Sequence, residues 1–172
     1  MNKIILLLAL LLAGAPAWAC SCITEDIPEA HKITKSFQRA TLVFVGRVLK
    51  AENVAAAPQD AAAMPVAKVR YTFAITRLYK GEKVDSTIVL ETPAQSATCG
   101  VSFIVGSEHL LYANTTSPAT GAVGKSQPHY AISLCDRHQA LRDVKSSELR
   151  QLKQMAYKAS GEHRFTWFEL GD

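Results

Sequence analysis

The stretch KVRYTFAITRL, residues 68–78, alternates along its length. Val69, Tyr71, Phe73 and Ile75 fall on one side and Arg70, Thr72, Ala74 and Thr76 on the other, the period of two that a pleated backbone imposes. It predicts a strand with one face turned to a core. Upstream, TLVFVGRVL at 41–49 is a β-branched apolar run that reads as a buried strand, with Gly46 marking a bend or bulge. Downstream, residues 87–92, 109–114 and 130–134 supply three more strands, set apart by loops carrying Gly100, Gly106, Pro118, Gly121 and Gly124. Between the first two strands, 51–67 is rich in alanine, with Pro58 and Pro65, and reads as a long loop or an irregular hairpin.

Helical signals sit at the two ends. Residues 27–39 place Ile27, His31, Ile33, Thr34 and Phe37 among charged residues with Pro28 near a first turn, which predicts a short helix. Ser146 is placed to cap a final helix running through Lys158, in which Leu149, Leu152, Met155 and Ala156 recur at helical spacing. Five short strands with a helix near each end predict a mainly β protein, a small closed barrel rather than a parallel α/β sheet. From Gly161 the tail carries Phe165, Trp167 and Phe168, which are expected to pack back on the barrel because exposed apolar tails favour aggregation.

The first nineteen residues are expected to leave the protein. Lys3 gives a cationic start, Ile4 to Ala13 an apolar run, and Ala17-Trp18-Ala19 a small-x-small cleavage site directly before Cys20. The organisation predicted is thus a signal peptide over 1–19, one domain over 20–158 and a tail over 159–172. The apolar run is too short to span a bilayer, and no later stretch approaches the roughly 20 apolar residues of a transmembrane helix, so a secreted or periplasmic product is expected. Ala17 to Cys20 is also a degenerate lipoprotein signal, an alternative that would cap the Cys20 amine and thiol. The mature charge, 18 basic against 15 acidic side chains or +3, is mild and dispersed, so no nucleic-acid partner is expected.

Cys20, Cys22, Cys99 and Cys135 in an exported chain predict two disulfides. A Cys20–Cys22 bridge would close a very small, strained ring. Two pairings remain, and both tie the mature N-terminus to Cys99 and Cys135. Each such long closure contributes on the order of 4 to 5 kcal/mol in the chain-entropy view.

These residues carry a family resemblance. Cys20-Ser21-Cys22, the segment 37–48 with Phe44-Val45-Gly46, then Leu78-Tyr79-Lys80-Gly81, Thr92-Pro93-Ala94 running to Thr98-Cys99-Gly100, and Leu134-Cys135 together resemble the N-terminal, netrin-like domain of the tissue inhibitors of metalloproteinases. The resemblance covers roughly residues 20–158. It implies a five-stranded closed barrel of the oligonucleotide/oligosaccharide-binding type and disulfides Cys20–Cys99 and Cys22–Cys135. It also implies a zinc metalloprotease as partner, whose catalytic zinc is chelated by the α-amino nitrogen and carbonyl oxygen of Cys20. Ser21 would enter the pocket just past the scissile bond. Cys22 and the stretch Pro93, Ala94, Gln95, Ser96, Ala97, Thr98 and Cys99 would complete the contacting ridge, which 51–67 could extend. The family's third disulfide in this domain has no counterpart here, and Ile23-Thr24 stands where a hydrophobic residue and proline are usual.

Other chemistry finds little support in the residues. His109, His129, His138 and His163 show no HExxH or comparable spacing, and no GxSxG elbow occurs. No catalytic residue, cofactor or resident metal is expected, although Cys20, Cys22 and His31 together are a conceivable copper or zinc set if the thiols stay reduced. The function class competing with an inhibitor is a netrin-like structural or protein-binding module of the cell envelope, in which the Cys20-x-Cys22 anchor is merely structural.

Overall fold

The computed structural model describes residues 20–54, 67–81, 86–116 and 129–159. The expected signal peptide, residues 55–66 of the predicted loop, and the tail from residue 160 lie outside the described residues. Helix α1 spans Glu29–Arg39 and α2 Ser146–Ala159; the strands are β1 Leu42–Val54, β2 Lys68–Lys80, β3 Thr87–Pro93, β4 Glu108–Thr116, β5 His129–Ala131 and β6 His138–Ala140. The protein is mainly β, with one helix before the sheet and one after it.

The pairings run β1–β2–β3–β5–β4 and return from β4 to β1, all antiparallel except β3 with β5. The first part of β1, Leu42–Gly46, is buried on both faces, which is why it reads as a continuous apolar run. Leu42, Phe44 and Val48 join Tyr71, Phe73, Leu90, Phe103 and Leu111 in the core enclosed by the strands. Val43 and Val45 join Leu110, Tyr112, Leu152 and Phe37 in a second core beneath the helices. The register shifts between Val45 and Gly46 as expected of a bulge. A Cβ there would stand 2.7 Å from the Phe44 ring and 3.0 Å from the Ala74 carbonyl, so the bend depends on glycine.

Three expectations change. β1 runs on to Val54, because Lys50–Val54, though polar and largely exposed, finds a ladder partner in Lys68–Thr72; residues 51–54 are thus the arm of a hairpin, the second of the two readings, rather than loop. The fifth predicted strand shortens to His129–Ala131, and a sixth, β6, pairs with β4 through Leu110 and Gln139. Ser146 is the first residue inside α2 rather than the residue capping it, and its hydroxyl accepts from Arg150 at 3.4 Å. At the far end of α1, Lys80 Nζ donates to the carbonyls of Phe37, Gln38 and Ala40 at 2.8, 3.0 and 2.6 Å. A cation is thereby set on the negative end of the helix dipole, and its burial pushes the Lys80 pKa down.

His109, the second residue of β4, is half-buried. Its Nε2 lies 2.8 Å from Ser107 Oγ, its ring meets Phe103 edge to face at 4.9 Å, and Nδ1 is buried without a hydrogen-bond partner. Burial first, then the charges of His138 and Arg142, hold its pKa below the ordinary histidine value, with the Gln139 backbone a smaller opposing influence. The fold therefore favours the neutral ring. Its contribution is intact above the unfolded-chain pKa of about 6.5 and is lost as pH falls through the lower folded value. Between about pH 7.5 and about pH 5, the denaturant midpoint of the native chain should fall further than that of His109→Gln.

Candidate functional site

Residues 20–27 form no helix or strand and are held from outside. Of the two pairings left open by the residues, the structure has Cys20–Cys99 and Cys22–Cys135, each with Cα atoms 5.3 Å apart. The two receiving cysteines belong to one rigid unit, because Leu134 N donates to Cys99 O at 2.8 Å. The Cys135 turn is closed by Asp136, whose Oδ2 accepts from Ser133 N and Oγ at 2.8 Å each and whose Oδ1 accepts from Asn114 at 2.9 Å. An otherwise unstructured N-terminal segment is thus fixed at two points.

The segment after β3 is equally determined. A single 3-10 turn, Ser96–Thr98, is organised by the Gln95 carbonyl, which accepts from Thr98 N, Gly100 N and Thr98 Oγ1. Ala94 N donates to Ala67 O at 2.8 Å, and the buried Thr92 hydroxyl accepts from Val101 N at 3.0 Å. Cys99 takes a left-handed conformation at φ 64°, turning its side chain toward Cys20. Ser21, Ile23 and Ala94–Thr98 are exposed, Ile23 almost completely at 97%. The structure therefore brings Cys20, Ser21 and Cys22 to Pro93–Cys99 through the first bridge. Residues 51–54 belong to the β1–β2 ribbon.

Gly100 is the tightest point of the turn. A Cβ would lie 2.0 Å from Pro93 O and 2.8 Å from Gln95 O, backbone atoms that no rotamer change can clear. Gly100→Ala should cost about 2 to 4 kcal/mol, as a change forcing strain on a determined backbone does. The readouts are chemical denaturation and the protection of the Gly100 amide from hydrogen exchange, both of which should decrease.

Beside the Cys135 turn lies a buried polar group that the sequence reading did not find. Tyr112 Oη donates to Glu148 Oε1 at 2.8 Å, and Arg137 reaches Glu148 through Nε and Nη2 at 2.7 and 2.6 Å and Glu29 at 2.7 Å. Burial, reinforced by Glu148, pushes the Tyr112 pKa up, and hydrogen bonding to Glu148 pushes that of Arg137 up. The network ties α1, β4, the Cys135 turn and α2 together. Its members are far apart in the chain, and no local pattern marks them. Next to it a shallow cleft is lined by Arg39, Asn114, Cys135, Asp136 and Arg137 among others. Among the described residues, the group of potential metal donors within 4.8 Å of one another consists of the sulfurs of Cys20, Cys22 and Cys135, all engaged in disulfides; His31, exposed on α1, is not part of it.

A sequence model described as tissue inhibitor of metalloproteinase matches residues 18–165. The chain belongs to that family. No individual curated protein matches the sequence. Family membership makes this a metalloproteinase-inhibitor-like, netrin-like module, and the pairing implied by the resemblance is the pairing present. Two disulfides fit an oxidising, extracellular setting. Among the described residues no helix is long and apolar enough to cross a membrane.

Proposed function

We propose that this chain, cut to begin at Cys20, is a secreted or periplasmic inhibitor of a zinc metalloprotease, and that the Cys20 amine and carbonyl occupy the catalytic zinc. The observation that carries this reading is the clamp on Cys20: its disulfide to Cys99 joins the N-terminal segment to the exposed turn 94–98, and the Leu134–Cys99 hydrogen bond adds the turn holding Cys22. A catalytic zinc has three protein ligands and a water, so a neutral amine with its neighbouring carbonyl replaces that water without any protein ligand being lost. In this reading Ser21 fills the pocket just past the scissile position, and Cys22 with Pro93, Ala94, Gln95, Ser96, Ala97, Thr98 and Cys99 forms the surrounding ridge. The ring of strands serves as a closed barrel of the oligonucleotide/oligosaccharide-binding type. Because both halves of the ridge are fixed before contact, little ordering cost is left for binding. The protein acts by occupation and performs no reaction of its own.

The test is a titration of the exported protein, with its first residue established by N-terminal sequencing, against a panel of zinc metalloproteases. Stoichiometric inhibition of at least one enzyme by a chain starting at a free Cys20 is expected. A free Cys20 amine with no enzyme inhibited would leave a netrin-like binding module as the function.

A further inference from the structure

We infer that β6 is an acid-released latch: a proton taken up by the half-buried His109 detaches His138–Ala140 from β4 and withdraws the hydrogen bond that His138 gives to the turn carrying Cys135. The two strands pair through His109 with Ala140, Leu110 with Gln139 and Leu111 with His138. That register makes His109 and His138 diagonal neighbours on one face of the ladder. Both rings meet Phe103 edge to face, with centroids 4.9 and 6.1 Å away. His138 Nδ1 donates to the Asp136 carbonyl at 2.8 Å, so the latch reaches the Cys135 turn directly.

The neutral His109 ring is satisfied on one side. Ser107 Oγ gives its proton to the Ile104 carbonyl and accepts from His109 Nε2–H at 2.8 Å. The lone pair is left on Nδ1, which is buried without a hydrogen-bond partner. A second proton goes to that nitrogen, and the groups around it do not favour the resulting charge. From β6 and the turn after it, His138 and Arg142 both act against it, with the Gln139 backbone a smaller influence in its favour. From β1 the facing residue is Gly46, which brings no charge. Arg47 pairs with Glu108 at 3.5 Å, and Glu108, as the residue next to His109 on β4, lies on the opposite face. Phe103 and Ser107 are uncharged.

Opening at β6 relieves both costs at once. It brings water to Nδ1 and carries His138 and Arg142 away from the ring, whereas opening elsewhere leaves those two groups in place. β6 is also the strand least able to resist: it has three residues, none of them β-branched, and among the described strands it pairs with β4 alone. Arg137, tied to Glu148 immediately before β6, fixes the near end of the opening. Once open, the ring regains the ordinary histidine pKa of about 6.5. The open form therefore takes up a proton that the closed form resists, and opening grows as pH falls. The latch rests on the fold alone and is independent of protease inhibition.

The experiment is native-state hydrogen exchange of the oxidised chain beginning at Cys20, at about pH 7.5 and about pH 5, read as protection relative to intrinsic rates over a series of low urea concentrations. Protection of the Leu110 and Gln139 amides should fall by about fivefold or more on acidification. Its urea dependence should be much weaker than that of the β1–β2 amides, the mark of a local opening that exposes little surface. His109→Gln should abolish the fall. Arg142→Gln, at a side chain 87% exposed, spares the core and should reduce it. Protection that does not fall, a fall confined to amides with the full urea dependence of global unfolding, or an undiminished fall in either variant would overturn the latch.

Discussion

One alanine placed ahead of Cys20 should abolish most inhibition, weakening it by about a thousandfold or more, roughly 4 kcal/mol. The added residue turns the terminal amine into an amide whose nitrogen has no lone pair to offer zinc, and it pushes a side chain into the protease cleft. Neither disulfide nor any core residue is altered, so the denaturation midpoint should stay where it is. The comparison is an inhibition constant for each form against the same enzyme. With the native terminus, affinity should also weaken as pH falls below the usual α-amino pKa of about 7.7 to 8.0, because the protonated amine cannot coordinate. The extended form should lack that dependence.

Glu148→Ala should be the most damaging single change to the fold, by about 3 to 5 kcal/mol. Glu148 is 3% exposed and accepts from Tyr112 and twice from Arg137. Its loss leaves a largely buried guanidinium with only Glu29 and a buried phenol with no acceptor. Such a loss is a large share of the total stability of a small domain. Tyr112→Phe removes one neutral donor and should cost only about 1 kcal/mol. Equilibrium denaturation of the oxidised proteins measures both. Similar midpoints for the two variants would show that the network does not bind the helices to the sheet.

The parts legible in the sequence were those with local causes. The alternation of Val69 to Ile75 and the β-branched apolar run of Thr41 to Leu49 each mark a strand by composition alone. Gly46 carried its bulge in the same way, because no side chain fits between Phe44 and Ala74. β6 did not show, since His138-Gln139-Ala140 has no β-branched residue and becomes a strand only because β4 presents a free edge to it. Lys50–Val54 is the same case, a polar segment made strand by its partner. At the site, the cysteines narrowed the anchors to two arrangements and the resemblance chose between them. The Leu134–Cys99 contact that unites those anchors is a backbone hydrogen bond, invisible to any reading of side chains. Glu148 lies in the first turn of α2, and its role depends on partners 11 and 36 residues away.

The zinc site itself offers the most direct test. In a susceptible metalloprotease carrying cobalt(II) in place of zinc, adding the oxidised chain that begins at Cys20 should replace the metal-bound water by an amine nitrogen and a carbonyl oxygen. The visible d–d bands should weaken and shift as coordination rises from four to five, in step with inhibition, and the alanine-extended chain should leave them unchanged. Full inhibition by the Cys20 chain with an unaltered cobalt spectrum would contradict the claim that this residue occupies the metal.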